Sequence, residues 1–160
     1  MLRRFAIRGF KSLEDVEMEP PRLAVLIGPN AAGKSNLLDA LQMLARTATE
    51  RTLADALVPP IRGFPQEAFT FPSGGLPELL AQPSAQFSLE ADLELEPEGR
   101  REERVRYRLA VAIDPDSGEL TVADERLVKL SKDYEPKERT RSCRRDAPSL
   151  VAVTEAGSAS

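Results

Sequence analysis

Eight residues constrain this chain more than any other segment: Gly28-Pro29-Asn30-Ala31-Ala32-Gly33-Lys34-Ser35. They satisfy the spacing G-x-x-x-x-G-K-[ST]. Leu23-Ala24-Val25-Leu26-Ile27 precedes them as an unbroken apolar run. Such a run reads as a strand buried on both faces, the habit of a parallel sheet covered by helices. After Lys34 the period changes. Leu37, Leu38, Leu41, Leu44 and Ala45 fall at helical spacing, with Asp39, Gln42 and Arg46 on the other face. A buried strand, a glycine-bounded loop and an amphipathic helix make half of a βαβ unit.

That context is what a triphosphate cradle requires. The loop must turn its N–H groups inward as an anion nest. Gly33 lets the backbone approach phosphate with no Cβ in the way. Lys34 would place its ammonium between the β- and γ-phosphates, as the catalytic cation. The Ser35 hydroxyl would ligate the metal. The helix points its positive end at the same charge. A turn that merely joins strand to helix accounts for Gly28 and Gly33, but not for Lys34-Ser35 at the helix mouth. The candidate site is therefore Gly28, Pro29, Asn30, Ala31, Ala32, Gly33, Lys34, Ser35 and Asn36, with ATP and Mg2+ as cofactors.

Composition removes rival chemistries. There is no histidine, and Cys143 is the only cysteine. Ser-His-Asp and Cys-His catalysis need an imidazole. A tetrahedral zinc site needs Cys or His ligands. What remains is chemistry by backbone amides, Lys, Arg, carboxylates and hydroxyls around an oxygen-liganded metal. The net charge of -4 makes the whole chain no polyanion binder, so any nucleic-acid contact must be a local patch. Arg8 and Lys11 interrupt the N-terminal apolar stretch, so no secretory signal is expected there. The expected setting is cytoplasmic, with no membrane contact.

Four regions are expected along the 160 residues: a nucleotide-binding core over 1–58, an irregular insertion over 59–86, an antiparallel β-subdomain over 87–130 and a poorly ordered polar tail over 131–160. In the first, Phe5 and Ile7, then Val16 and Met18, alternate with charged residues as two short strands. Six of the thirteen prolines lie between Pro59 and Pro83, which argues for irregular structure, with a helical turn possible over 76–81. Phe87, Leu89, Ala91, Leu93 and Leu95 alternate with Ser88, Glu90, Asp92, Glu94 and Glu96. Val105, Tyr107, Leu109, Val111 and Ile113 repeat the pattern after a turn. A third strand begins at Glu119, and alternation fails near Asp124, where a bulge is expected. Arg104, Arg106 and Arg108 suggest DNA, but the acidic face of the preceding strand lies opposite them in a hairpin, which favours paired charges. Arg139, Arg141, Arg144 and Arg145 are diluted by Glu135, Glu138 and Asp146.

Gly9-Phe10-Lys11-Ser12-Leu13, the apolar run, and Gly28 through Ala40 together resemble the N-terminus of RecF-, SMC- and OLD-like ATPases of the AAA type. The resemblance covers residues 2 to 48. It implies an α/β fold, a P-loop NTPase core of partial ABC-head type joined to an antiparallel β-subdomain. It implies a head that dimerises on ATP, tied to DNA transactions or to a nuclease or toxin effector in phage defence. Ala31 departs from the pattern, since many relatives have Gly there.

Such ATPases also use an apolar strand ending in Asp-Glu and a Ser-Gly signature from the partner head. The one lookalike, Leu120-Thr121-Val122-Ala123-Asp124-Glu125, reads better as the third strand of a meander than as a source of a catalytic Glu125. Gln66, Gln82 and Gln86 are undiscriminated candidates for a metal-sensing Gln. The chain therefore looks incomplete for hydrolysis. The alternatives are a P-loop kinase, which needs an arginine lid, and a non-catalytic truncated head acting as an interaction module. An ABC transporter subunit is weaker, because no aromatic stands between Glu14 and Ile27.

Overall fold

A computed structural model describes residues 1–57, 62–82, 85–96, 102–137, 142–146 and 149–153. The alternating segments form strands β1 (Leu2–Phe10), β2 (Leu13–Met18), β3 (Ala85–Leu95), β4 (Glu103–Ile113) and β5 (Leu120–Lys129). They make one antiparallel sheet in the order β2-β1-β3-β4-β5. Helices α1 (Lys34–Thr47), α2 (Leu53–Leu57) and α3 (Gly75–Leu80) lie between β2 and β3 in the chain.

The pleat separates two faces. Phe5 pairs with Ala91 and Ile7 with Leu89, while Leu89 pairs with Leu109 and Phe87 with Val111. These side chains join Ala40 and Met43 of α1 in one apolar core. Phe5, Phe10, Phe87 and Ile7 are fully buried. Each contributes about 1.5–3 kcal/mol by leaving water. On the other face Asp92 pairs with Arg106 and Glu94 with Arg104. The register between β4 and β5 shifts after Ala110, which pairs with Asp124 while Val111 pairs with Val122. The bulge expected near Asp124 is at that step.

The apolar run 23–27 differs from expectation. It forms no strand, and Leu23, Val25 and Ile27 are 83%, 75% and 89% exposed. A strand needs a neighbour to take its N–H and C=O groups. Both edges of β1 are already taken, by β2 and β3. Among the described residues no parallel ladder exists onto which the run could add. The described architecture is thus an antiparallel sheet with short helices, not the parallel half of an α/β core. The helix shows the same effect. Its buried stripe is Asp39, Ala40, Met43 and Thr47, whereas Leu38 and Ala45 are exposed.

The segment after α2, expected to be irregular, is anchored to the sheet. Phe69 bridges to Phe10, and its ring meets Phe87 edge-on at 5.0 Å. Lys11 N–H donates to Ala68 O at 2.9 Å and Thr70 N–H to Gly9 O at 2.8 Å. Gly9 has φ +68°, and a Cβ there would lie 2.8 Å from Gln86 O. Only glycine accommodates both conditions. The expected helical turn near 76–81 is α3. Toward the C-terminus, where no period is visible in the sequence, β6 (Ser142–Asp146) pairs antiparallel with β7 (Ser149–Val153). Arg139 and Arg141 lie outside the described residues. No described helix is long and apolar enough to cross a membrane.

Candidate phosphate-binding site

The loop from Gly28 to Gly33 enters α1 through two left-handed residues. Ala31 has φ 64° and Gly33 φ 81°. Alanine pays roughly 1–2 kcal/mol to sit there, which gives a physical reason for glycine to be preferred at that position. Gly33 is the N-cap of α1 and supplies no side-chain cap. The first intrahelical bond runs from Leu37 N–H to Gly33 O at 3.0 Å. The N–H groups of Lys34, Ser35 and Asn36 therefore have no intrahelical acceptor. The first turn holds no acid, and Arg46 stands in the last turn. The missing acid leaves the positive N-terminal end of the helix dipole unneutralised, while Arg46 complements the negative end.

Lys34 folds back over the loop. Its ammonium donates to Gly28 O at 2.8 Å and to Pro29 O at 2.6 Å. Ala32 N–H closes the turn on Pro29 O at 3.4 Å. Asn30 and Ser35 are exposed. The structure thus brings Gly28, Pro29, Asn30, Ala31, Ala32, Gly33, Lys34, Ser35 and Asn36 into one continuous loop and helix mouth. The turn between β1 and β2 supports it from below. Asn36 Nδ2 donates to Ser12 Oγ at 2.8 Å. A Cβ on Gly33 would come 3.2 Å from Ser12 Oγ and 3.3 Å from Leu13 Cδ2.

One turn further along α1 lies a group that sequence periodicity misplaced. Asp39, expected on the polar outer face, is 4% exposed. Lys11 Nζ reaches its Oδ2 at 2.5 Å, and Arg62 Nη2 reaches the same oxygen at 2.9 Å. Lys11 also donates to Arg62 O at 2.8 Å, and Arg62 Nη2 to Asn36 Oδ1 at 3.4 Å. Burial raises the pKa of Asp39, but the hydrogen bonds from Arg62 and Lys11 outweigh it, and the net direction is downward. No local pattern marks this cluster, because its members meet only through tertiary packing.

The other candidates fall elsewhere. Glu125 sits within the β4–β5 ladder opposite Leu109, on the core face, and accepts from Tyr107 OH at 2.7 Å. It is part of a meander strand at the sheet edge opposite β2. Gln66 stands in a 3-10 turn (Pro65–Ala68), Gln82 follows α3, and Gln86 lies in β3. The arginines of β4 are paired. Arg106 grips Asp92 with Nε at 2.6 Å and Nη2 at 2.8 Å. Arg104 meets Glu94 at 3.1 Å, and Arg108 meets Glu90 at 3.5 Å.

A family model described as "AAA domain, putative AbiEii toxin, Type IV TA system" matches residues 23–155. The chain is also similar to the DNA replication and repair protein RecF. It is 40% identical to that of Lactobacillus johnsonii over 55 residues, 34% of this chain and 15% of the relative. With the RecF of Listeria welshimeri it shares 42% identity, and with that of Lactococcus lactis 36%, over the same lengths and shares. The matched stretch spans only about 15% of the length of these relatives. The family match spans well over half of the chain: the chain belongs to the AAA-domain family, with similarity to RecF over 34% of its length.

Proposed function

We propose that this chain is the ATP-binding portion of a RecF/SMC-like ATPase. The observation that carries the reading is the loop itself: left-handed Ala31 and Gly33 feeding an uncapped helix whose first-turn N–H groups face the Lys34 ammonium's loop. A triphosphate fits that donor set. Gly28, Asn30, Ala31, Ala32, Gly33 and Asn36 form the cradle through backbone N–H groups, and Pro29, which has no N–H, shapes the turn that presents them. Lys34 exchanges the carbonyls of Gly28 and Pro29 for phosphate oxygens. The Ser35 hydroxyl is exposed and free to ligate Mg2+, which neutralises phosphate charge when bound.

Hydrolysis needs further groups, namely an acidic strand that positions water and a signature segment from a partner head. Supporting this incomplete-site reading is the surface left open: Leu23, Val25 and Ile27, together with Leu38, which is 51% exposed. An apolar patch of this kind marks a surface that another polypeptide layer covers. A head-to-head homodimer supplies the second half of the site. The pathway is DNA repair and maintenance or phage defence, with DNA or a nuclease effector as partner.

Calorimetry with Mg-ATP on the wild type and Lys34→Ala tests the reading. Binding that disappears in the variant supports it. Binding that is equal in both proteins overturns it.

A further inference from the structure

A second set of apolar side chains stands in solvent, apart from the run before the phosphate loop. Phe64 is 76% exposed, Phe71 41% and Leu76 38%. They are not scattered singly. With Leu80 and Ile113 they line one cavity of about 270 Å³ between segment 62–82 and the β4–β5 turn. That is smaller than the roughly 300–1,000 Å³ of a pocket for a drug-sized ligand. It suits anchor side chains from another polypeptide. Its walls are already in place. Phe69, between Phe64 and Phe71 in the chain, bridges to Phe10, and Glu67 accepts Phe64 N–H at 3.1 Å. Glu78 accepts Gly74 N–H at 2.6 Å. A preformed groove spares a partner much of the ordering cost.

Charge decides what covers it. Segment 62–82 supplies exposed Glu67 and Glu78, and the β4–β5 turn supplies exposed Asp114, Asp116 and Glu119. Over 62–82 and 111–120 the sequence has one cation, Arg62, and Asp39 holds it. A second copy of the chain would set these carboxylates against themselves across a two-fold interface. An occupant from this chain would need apolar and cationic side chains together. Of the undescribed residues, 58–61 and 83–84 carry no charge, and 97–101, 138–141, 147–148 and 154–160 have no large apolar side chain. The backbone offers little to pair with at the apolar wall, since β4, which carries Ile113, lies between β3 and β5. The partner must bind through side chains, as a helix does in a groove.

We infer that this cavity is a docking site for another protein, entered by a basic amphipathic helix. Its apolar side chains insert among Phe64, Phe71 and Leu76, and its Lys or Arg side chains face Glu67, Asp116 and Glu119. The inference goes beyond the nucleotide site and does not depend on it.

The test is fluorescence anisotropy on the full chain without nucleotide. The probe is a labelled synthetic helix of about four turns, with leucine at i, i+4, i+7 and i+11, lysine on both flanks and alanine elsewhere. One control peptide has glutamate for lysine, and another has alanine for leucine. The leucine–lysine helix should bind, more weakly as salt is raised, and neither control should. Phe64→Ala and Phe71→Ala should each weaken binding about tenfold or more, as loss of an anchor contact does. Ile27→Ser should stay within about twofold on the same scale. Asp116→Asn with Glu119→Gln should weaken binding and flatten its salt dependence. Thermal melts check that the variants fold, and Phe64, mostly in water, can be truncated without loss of core. Failure of the leucine–lysine helix to bind would overturn the inference. Equal binding of the leucine-free control, or an equal loss in Ile27→Ser, would do the same. Sedimentation showing a wild-type dimer that Phe64→Ala splits would give the groove to a second copy instead, and would also overturn it.

Discussion

The Lys11 ammonium lies 2.5 Å from Asp39 Oδ2 across 28 positions of sequence, and joins the β1–β2 turn to the second turn of α1. Lys11 adopts φ 51° to make the contact. The pair fixes the helix that opens at the phosphate loop against the sheet.

Asp39→Ala should therefore destabilise the chain by about 3 kcal/mol, because it leaves a nearly buried ammonium without its carboxylate. Arg62→Ala should cost much less, since that side chain is mostly in water. Urea unfolding of the two variants checks the order. Equal costs would show that Arg62, not Lys11, is the structural partner of Asp39.

Lys34→Ala should leave folding stability within about 0.5 kcal/mol of wild type. Among the described residues Lys34 bonds the exposed carbonyls of Gly28 and Pro29. Thermal unfolding without ligand would read this. A large drop would make Lys34 a structural clamp on the loop and would undercut its use as a phosphate ligand.

Gly9→Ala should destabilise by at least about 2 kcal/mol. The positive φ alone costs roughly 1–2 kcal/mol for a residue with a Cβ. The new Cβ then meets a backbone carbonyl at 2.8 Å, which cannot rotate aside. A denaturant midpoint equal to wild type would show that the β1–β2 turn relaxes freely.

Acid should weaken the outer face of the sheet. The Tyr134 hydroxyl at 2.5 Å, with Arg3 and Arg104, holds Glu94 down to about 2, against an ordinary value of 4.5. A depressed carboxylate stabilises the fold above the unfolded value and loses that contribution as pH falls from about 4.5 toward 2. Glu94→Gln should therefore be less stable near neutrality and lose less on acidification through that window. Parallel acid-dependence of the two proteins in a pH series of thermal melts would contradict the assignment.

Ile27→Ser should not lower stability measurably, because Ile27 is 89% exposed. It should instead reduce binding of a hydrophobic dye and weaken self-association. A clear loss of folding stability in the same variant would mean that the run is packed in solution.

Much of this was legible from sequence because it depends on local chemistry. The eight residues from Gly28 to Ser35 fixed a loop with a helix after it, since glycine placement and lysine at a helix mouth act within one turn. Period-two alternation located β1, β3 and β4, and acids facing arginines predicted the paired outer face. The failed alternation near Asp124 marked the bulge.

What lay beyond reach depended on partners distant in sequence. An apolar run such as 23–27 announces that it wants burial, but only the tertiary structure decides whether a neighbouring strand exists to take its hydrogen bonds. Here the run pairs with no strand among the described residues, and it stays in solvent. Helical periodicity likewise assigned Asp39 to water by its charge. Packing reversed that, because Lys11 and Arg62 arrive from other segments to neutralise a carboxylate that no neighbour within the helix could.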